Sequence, residues 1–362
     1  MNICFFIQNL SFPGGTERIS IALANVLSEN PAYQVNMLSL ESFDSTFFPL
    51  KNNITTASLH LSSTDIRKTY LKAVMRLRKY INQNQMDVLI DVDVILSAIS
   101  LPATVFTKTK VISWEHFNYF TKAESVVRRI ARKLAARYSA AVVTLTEQDV
   151  AFYKENCKVK TKIIAIPNFV EEFPAVSYDK AQKIVLAVGR LEQRKGFNLL
   201  IHSWIWGGRE SEIRKDWKLL IVGSGEEKEN LERQIRESKA EASIEILPPT
   251  RSIQDYYQKA SIYVLTSRAE GLPMVLIEAQ SHGLPTIAFD CKTGPREIIS
   301  DGEDGFLIPC FDTDLYAEKL TRLMQDVSLR QTFSRNAVKN RERFSVSKAV
   351  EKWEKLLSND LS

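Results

Sequence analysis

Two carboxylates eight positions apart, Glu270 and Glu278, bracket the segment of this chain whose residue types are best suited to chemistry. Between them lie a glycine, Pro273 and the otherwise apolar start of a predicted helix. Proline suits the first helical turn, because its missing N–H is not needed there. The free amides from Leu272 to Val275 then point ahead of the helix, where they attract phosphate. Eight residues make about two helical turns, so both carboxylates could line one pocket.

Two cations follow the predicted strand Ile184 to Val188. Arg190 and Lys195 are separated by a loop, so both can reach a diphosphate at the C-terminal end of that strand. This arrangement predicts an anion site built from the loop.

Glycines follow three of the predicted strands, and a glycine lets a ligand approach the backbone where a Cβ would clash. Gly14 and Gly15 precede a helix that begins near Thr16, whose first amides face any bound anion. Gly189 precedes Arg190. Gly223 belongs to a Gly-Ser-Gly turn that lacks the third glycine of a dinucleotide fingerprint, so no NAD site is predicted.

His116 is one of four histidines and follows the predicted strand Val111 to Ser113, which places it at the carboxyl end of that strand. Imidazole changes charge near neutral pH, so such a residue can take part in catalysis. Glu115 could orient His116, face a substrate or lie in solvent. Asp91 and Asp93 end another strand near the same edge and are candidates for contact with an acceptor substrate.

The length of 362 residues exceeds what one hydrophobic core usually supports, which predicts two domains. Short apolar strands alternate with helical patterns in both halves, as is typical of parallel sheets. A polar, proline-bearing stretch near Pro167 and Asn168 predicts the linker. We expect two doubly wound α/β domains that face one cleft. The predicted strands are Ile3 to Ile7, Val35 to Leu40, Val88 to Asp91, Val111 to Ser113, Ala141 to Leu145, Ile163 to Ile166, Ile184 to Val188, Trp217 to Val222, Ile244 to Leu247, Ile262 to Thr266, Thr286 to Phe289 and Phe306 to Ile308.

The composition is that of a soluble globular protein with a formal charge of +5. No apolar run of about 18 residues occurs, and the amino terminus lacks the features of a signal peptide, so we expect neither a membrane span nor secretion. The four cysteines are scattered, which argues against a disulfide framework or a zinc site. A reducing cytoplasm fits this pattern best.

Two predicted helices, Ser125 to Tyr138 and Arg67 to Ile81, concentrate the positive charge. Each has cations at helical spacing and apolar residues on another side. Two interpretations fit this pattern equally well. The charged side is either an ordinary solvated helix face or a surface that binds anionic lipid head groups or a pyrophosphate-linked acceptor. Nucleic acid is a poorer fit, since no aromatic residues are interleaved with the charges. In the first helix the cations are Arg128, Arg129, Arg132, Lys133 and Arg137, and the apolar residues are Val126, Val127, Ile130 and Leu134.

The order of these motifs resembles that of the retaining glycosyltransferases with the GT-B fold, most closely family 4, and the resemblance covers nearly the whole chain. Its most specific element is the pair Glu270 and Glu278 with seven residues between them. The other matching motifs are Gly14-Gly15-Thr16-Glu17, Trp114-Glu115-His116, Val188-Gly189-Arg190-Leu191 with Lys195-Gly196, Val222-Gly223-Ser224-Gly225 and Thr293-Gly294-Pro295-Arg296-Glu297.

The resemblance implies a role for each site residue. Arg190 and Lys195 would hold the donor diphosphate, Glu278 the ribose hydroxyls, and Glu270 the hydroxyls of the transferred sugar. Arg251 would lie at the edge that binds the base. The implied catalytic residues are His116, Arg190, Lys195 and Glu270, and the implied donor-binding residues are Gly14, Gly15, Gly189, Arg190, Lys195, Gly223, Arg251, Glu270, Gly271, Leu272, Pro273, Met274, Val275 and Glu278.

The same resemblance implies a domain assignment. Residues 1–170, together with a C-terminal helix in 344–362, would form an acceptor-binding Rossmann-like domain, and residues 171–343 a nucleotide-sugar-binding one. Val346 to Leu357 would form the helix that crosses back to the first domain.

The implied reaction moves a hexosyl or N-acetylhexosaminyl unit from a UDP-sugar to a saccharide acceptor, with retention and without a metal or other cofactor. The acceptor would be linked to undecaprenyl pyrophosphate, in bacterial surface polysaccharide or glycan synthesis. The enzyme would lie in the cytoplasm, peripheral at the inner face of an anionic membrane. The alternatives are a nucleotide-sugar epimerase of the same fold and a non-catalytic subunit that binds a sugar nucleotide.

Overall fold

The computed structural model describes residues 1–61, 66–121, 125–176, 182–208, 216–250 and 252–359. The chain divides into two compact units. Met1–Phe169 and Val346–Ser362 form the first unit, and Val170–Ser345 form the second.

The first unit contains a seven-stranded parallel sheet. Its strands are β1 (Asn2–Ile7), β2 (Gln34–Ser39), β3 (Thr55–Ser58), β4 (Val88–Val92), β5 (Lys110–Trp114), β6 (Ala141–Thr144) and β7 (Lys162–Ala165). Its helices are α1 (Gly15–Leu27), α2 (Ile66–Gln83), α3 (Ser97–Thr104), α4 (Val126–Tyr138), α5 (Glu147–Asn156) and α13 (Val346–Asn359). The strand order β3-β2-β1-β4-β5-β6-β7 places β1 beside β4, so the chain leaves these two neighbours in opposite directions across the sheet. In doubly wound folds, ligands bind at such a switch point.

The second unit contains a six-stranded parallel sheet. Its strands are β8 (Ile184–Val188), β9 (Lys218–Val222), β10 (Ile244–Leu247), β11 (Ile262–Leu265), β12 (Thr286–Asp290) and β13 (Gly305–Pro309). Its helices are α6 (Phe197–Gly208), α7 (Lys228–Glu237), α8 (Ile253–Lys259), α9 (Met274–Ser281), α10 (Pro295–Ile298), α11 (Thr313–Gln325) and α12 (Val327–Asn340). The order β10-β9-β8-β11-β12-β13 has its own switch point, between β8 and β11.

The C-terminal helix α13 packs within the first unit, as predicted. Trp353 is 1% exposed, and its ring meets that of Trp114 edge-on at 4.9 Å between centroids. Asn30 at the end of the α1 segment donates a hydrogen bond to Glu354 at 2.8 Å. Burial of the two indoles therefore attaches the last helix to the carboxyl end of strand β5.

The twelve predicted strands all occur, each shifted by no more than a residue or two at its ends. The strand that sequence reasoning missed is β3. It pairs with β2 at the edge of the sheet, and its Thr-Thr-Ala-Ser sequence is exposed or half-buried. An edge strand of this kind lacks the apolar run by which a buried parallel strand is recognised.

Helix α4 occurs as predicted, but two of the cations expected at its surface, Arg128 and Arg132, lie on its buried side. The side that is buried carries Arg128, Ala131, Arg132, Ala135 and Ala136, at the i, i+3, i+4, i+7, i+8 spacing of a core-facing stripe. The apolar residues of the other side are exposed: Val126, Val127 and Ile130 are 57%, 46% and 50% exposed. Buried carboxylates under α4, described below, explain why arginines and not valines point inward.

Among the helices that the structure describes, none combines the length and the apolar character that a bilayer crossing requires.

Candidate active site

The loops after β8 and β11 meet at the switch point of the second unit. The loop after β8 ends in a single 3₁₀ turn, Gln193–Lys195, and the loop after β11 leads to α9. The backbone amide of Arg268 donates to the carbonyl of Arg194 at 2.8 Å, which joins the two loops directly. These loops carry the predicted cations and the first predicted carboxylate.

Lys195 and Glu270 form an ion pair at the centre of this loop cluster. Lys195 Nζ lies 2.7 Å from Glu270 Oε1, and the two side chains are 14% and 6% exposed. Arg194 approaches the other oxygen, with Nη1 3.6 Å from Oε2. Burial alone would raise the pKa of Glu270, but Lys195 and then Arg194 outweigh it and hold the pKa below its ordinary value. Glu270 is therefore ionised near neutral pH.

Gly196 permits the loop that carries Lys195 to pack closely on β11. Its φ is +65°, and a Cβ there would lie 2.1 Å from the carbonyl oxygen of Thr266. The Thr266 hydroxyl in turn donates to the Gly196 carbonyl at 3.0 Å. Any side chain at this position would therefore push the loop away from the end of β11.

Arg190 has a different environment from Lys195, although the sequence predicted that both would reach one diphosphate. Its side chain is 78% exposed, and its Nε lies 4.0 Å from Glu192 Oε2. Gly189 and Gly223 mark a close approach of the loops after β8 and β9, since a Cβ on Gly223 would lie 1.9 Å from the Gly189 carbonyl oxygen. The two glycines thus shape the backbone beside the cations.

Helix α9 begins at Met274, whereas the sequence predicted that Pro273 would lie in its first turn. Pro273 is the N-cap, and its carbonyl accepts from the amide of Leu276 at 2.9 Å. The amides of Met274 and Val275 thus precede the first helical hydrogen bond, which is the position from which a helix binds an anion. Leu272 is buried and Gly271 is half-buried ahead of this end.

Glu278 lies on the next turns of α9 and is 9% exposed. Its Oε2 accepts a hydrogen bond from the hydroxyl of Tyr257 on α8 at 3.1 Å. Tyr257 was missed by sequence reasoning, because nothing in its sequence neighbourhood distinguishes it from a core tyrosine.

The switch point of the first unit lies between β1 and β4 and carries the glycine pair. A Cβ on Gly14 would lie 2.1 Å from Glu17 Oε2, whereas a Cβ on Gly15 would meet no atom within 4 Å. The carboxylate of Glu17 thus occupies the space beside Gly14, and Gly15 is the open position. Burial raises the pKa of Glu17, and the charge of Asp93 after β4 raises it further.

His116 follows β5 in the first unit and is only 8% exposed. Its ring lies 4.3 Å from the ring of Trp114, and its Nε2 has no hydrogen-bond partner among the described residues. Burial lowers the pKa of His116 to about 4, although Asp93 acts in the opposite direction. His116 is therefore neutral near pH 7 and can serve as a hydrogen-bonding group but not as a cation.

Glu115 belongs to a buried ion network, a role that was not among the three left open for it. Arg132 Nε lies 2.7 Å and Arg128 Nη1 3.3 Å from its two oxygens, and all three side chains are almost fully buried. The hydroxyl of Tyr153 also donates to Glu115, at 3.0 Å. Arg128 binds Asp93 through two hydrogen bonds of 2.8 and 2.7 Å. The network therefore joins α4 to the ends of β4 and β5.

Asp93 has a backbone φ of +101°, which is rare for a residue other than glycine. Its Oδ1 accepts from the amide of Ile95 at 3.1 Å, and Arg128 binds both oxygens. These bonds hold a conformation that is otherwise unfavourable, as is found at functional sites. Asp93, 18% exposed in its side chain, remains a candidate for contact with an acceptor.

Asp91 is not such a candidate, because the structure buries it completely. The hydroxyls of Ser97 and Ser100 donate to its Oδ2 at 2.9 and 2.6 Å, behind α3. Asp91 lies within β4, whereas Asp93, two positions further on, has left the strand with a φ of +101°, so the two carboxylates do not keep the shared face that strand spacing would give them.

Replacement of Asp91 by asparagine should remove a pH dependence of stability. Burial raises the pKa of Asp91 from 3.8 to about 7, despite the opposing hydrogen bonds from the serines. Between these two pH values, Asp91 is protonated in the folded protein and ionised in the unfolded chain. The free energy of unfolding should therefore fall as pH rises, by on the order of 4 kcal/mol in total, and should level off above about pH 7. Urea denaturation of both proteins from pH 5 to 8 measures this. Parallel curves for wild type and Asp91→Asn would contradict it.

Of the remaining predicted site residues, Arg251 lies outside the described residues. Within the described part of the chain, no group of three or more His, Cys, Asp or Glu side chains is placed to hold a metal ion. The structure brings together Lys195, Glu270 and the loop glycines in the second unit. Arg194 and Tyr257 are the additions that the sequence did not single out.

The fold matches that of several solved structures. The structure resembles that of TarM with a TM-score of 0.82 at 15% identity, covering 99% of each chain. It resembles that of Anabaena HepE, solved in complex with UDP, with a TM-score of 0.81 at 17% identity, covering 99% of this chain and 100% of the other. These similarities establish the GT-B fold.

The sequence comparisons establish the family. Residues 169–340 match the family model of glycosyl transferases group 1. An uncharacterized glycosyltransferase of Haemophilus influenzae is 33% identical, covering 98% of this chain and 99% of the relative. The amylovoran biosynthesis glycosyltransferase AmsD of Erwinia amylovora is 32% identical, over 98% and 99%. The chain therefore belongs to the group 1 glycosyltransferases.

A third relative has a more specific name. It is the Campylobacter jejuni GalNAc-alpha-(1->4)-GalNAc-alpha-(1->3)-diNAcBac-PP-undecaprenol alpha-1,4-N-acetyl-D-galactosaminyltransferase. It is 26% identical, covering 99% of this chain and 98% of the relative.

Proposed function

We propose that this glycosyltransferase moves a hexosyl or N-acetylhexosaminyl unit from a UDP-sugar to a saccharide hydroxyl with retention of configuration, in bacterial polysaccharide or glycan synthesis. The observation that carries the proposal is the pair of Lys195 and Glu270 beside the start of α9, at the switch point of the second unit. A cation, a carboxylate and free helix amides at one sheet edge suit a sugar diphosphate.

The donor would bind across the carboxyl ends of β8 and β11. Lys195 and the exposed Arg190 would neutralise the diphosphate, aided by the amides of Met274 and Val275. Glu270, held ionised, would accept from hydroxyls of the transferred sugar, and Glu278 from those of the ribose. Support for UDP comes from HepE, whose structure was solved with that nucleotide.

Retention would follow from attack on the same face from which UDP leaves. The departing β-phosphate, stabilised by Lys195, would draw the proton of the acceptor hydroxyl. No metal would be needed, since fixed cations supply the positive charge that a metal would otherwise provide. His116, neutral at pH 7, would contribute a ring or backbone contact near the anomeric carbon.

The acceptor would bind to the first unit, residues 1–169 with α13, and the donor to the second. Gly15 offers an open backbone position at the β1–β4 switch point, next to Gly14, whose neighbour Glu17 senses the charge of Asp93. A lipid-linked saccharide is proposed because the C. jejuni relative is named for an undecaprenol-linked one.

Incubation of the purified enzyme with UDP-sugars and short saccharide acceptors tests the proposal. The expected result is a new glycoside whose anomeric proton coupling in NMR matches that of the donor. Release of free sugar or of an epimer without a glycoside would instead indicate a hydrolase or epimerase, and an inverted product would contradict the retaining mechanism.

The exposed side of α4 is the proposed membrane contact of an enzyme that works at the inner face of the cytoplasmic membrane. Val126, Val127 and Ile130 are about half exposed there. Exposed cations lie on the same helix, namely Arg129, Lys133 and Arg137. Helix α3 packs against both α2 and α4, and α2 adds the exposed Leu71 and Met75, at 72% and 64%. Apolar residues among cations are suited to the interface of an anionic bilayer.

Ile130→Glu should weaken binding to anionic vesicles about tenfold, since it removes buried apolar area and adds a repelled charge. Sedimentation with vesicles containing phosphatidylglycerol at low salt measures this. The matched control is Val327→Glu, which alters a valine of similar exposure, 53%, in the second unit and should leave binding unchanged. Equal loss in both variants, or equal binding of the wild type to neutral vesicles, would contradict the proposed face.

A further inference from the structure

Tyr257 on α8 is fully buried and contacts the candidate donor helix at two points. Its hydroxyl lies 3.1 Å from Glu278 Oε2 and 3.4 Å from the carbonyl oxygen of Val275. A phenol has a single proton to donate, and a carboxylate attracts it more strongly than a neutral carbonyl does. The principal bond of Tyr257 is therefore the one to Glu278.

The ring of Tyr257 is fixed by two aromatic neighbours. It stacks on His282 at 5.1 Å with an interplanar angle of 25°, and it lies 5.9 Å from the ring of Tyr263. His282 Nδ1 lies 2.8 Å from the backbone oxygen of Glu278. A carbonyl oxygen can only accept, so this nitrogen carries a proton and donates it. Glu278 is thus held through its carboxylate by Tyr257 and through its backbone by His282.

This support matters because a glutamate side chain has several rotatable bonds. A carboxylate can accept about four hydrogen bonds, so the bond from Tyr257 restrains its orientation while using only one of them. Ordering the side chain before binding removes part of the entropy cost that the ligand would otherwise have to offset. A buried phenol at 3.1 Å is a suitable device for that purpose.

We propose that Tyr257 is a positioning residue for donor binding, which orients the Glu278 carboxylate toward the two hydroxyls of the nucleotide ribose. The inference rests on the proposed function, because it takes Glu278 as the ribose contact. Tyr257 itself does not touch the nucleotide. Its effect is confined to the part of the affinity that depends on the ribose hydroxyls.

Calorimetric titration with UDP and with 2′,3′-dideoxy-UDP tests this. The wild type should bind UDP more tightly than the dideoxy analogue. Tyr257→Phe should weaken UDP binding about tenfold, because it removes a hydrogen bond to a charged group. The same variant should change the affinity for the dideoxy analogue by less than about twofold. In a Glu278→Gln background, Tyr257→Phe should cause no further loss of UDP affinity.

The matched control is Tyr316→Phe. Tyr316 is equally buried, and its hydroxyl donates to the backbone oxygen of Ile287 at 3.0 Å, away from Glu278. Its loss should lower the melting temperature and leave the preference for the ribose hydroxyls intact.

The outcomes separate this inference from the function on which it rests. A wild type that binds no UDP would overturn both. A wild type that prefers UDP, with a Tyr257→Phe variant that keeps the full preference, would overturn the role of Tyr257 alone. Equal loss of UDP and analogue affinity in that variant would also overturn it, because a general packing defect would then be the cause.

Discussion

Lys195→Ala should lower kcat/KM for sugar transfer by roughly 10²–10³-fold, the loss typical for removal of one preorganised charge that stabilises a developing anion. The ammonium would no longer meet the departing diphosphate. Glu270 would keep Arg194 at 3.6 Å but lose the closer ammonium, so its pKa would rise from a value that Lys195 now holds down. Both effects act on the donor side of the reaction.

A radiochemical transfer assay at saturating acceptor measures this loss. Lys228→Ala is the matched control, because Lys228 is a surface lysine, 54% exposed, that pairs with Glu232 at 3.7 Å. That variant should retain full activity. A Lys195→Ala enzyme with undiminished turnover and an unchanged melting temperature would remove Lys195 from the reaction.

Glu115→Gln should destabilise the first unit by about 3–5 kcal/mol, the usual cost of leaving a buried charge without its partner. Arg132, 1% exposed, would lose the carboxylate that binds its Nε at 2.7 Å. The NH₂ group of the glutamine would also face a group that now donates a hydrogen bond to Glu115, such as the hydroxyl of Tyr153. For a unit of this size, the melting temperature should fall by roughly 10 °C.

Differential scanning calorimetry tests this, with Glu147→Gln as the control. Glu147 lies in the first turn of α5, in the same unit, and is exposed. Its replacement should change the melting temperature by no more than about 2 °C. A double variant, Glu115→Gln with Arg132→Met, should be less destabilised than the sum of the two single changes. Strict additivity would show that the two side chains do not act as one network.

The sequence was sufficient for the architecture and for the donor-side loops. Alternating strands and helices, with glycines and cations after β8 and carboxylates near α9, depend on local patterns that the chain shows directly. The pairing of Lys195 with Glu270 was not predicted, because it depends on β8 and β11 being neighbours in the sheet, so that their loops meet at one edge. The resemblance of the ordered motifs to the glycosyltransferases supplied the family, which the comparisons confirm.

The side of α4 that faces the core could not be predicted from the sequence. Val126, Val127 and Ile130 have the spacing of a core face, whereas the face that is buried contains alanines and two arginines. That choice depends on Glu115 and Asp93, which come from β5 and β4 and reach α4 only in three dimensions. Tyr257 was missed for the same reason, because its partner Glu278 lies 21 positions away on another helix.

The most direct test of the donor site is the ratio of the dissociation constants for UMP and UDP, measured calorimetrically for the wild type and for Lys195→Ala. If Lys195 neutralises the second phosphate, the wild type should prefer UDP strongly, and the variant should lose most of that preference while its affinity for UMP stays within about twofold. An unchanged preference in the variant, or a wild type that binds both nucleotides equally, would contradict the account.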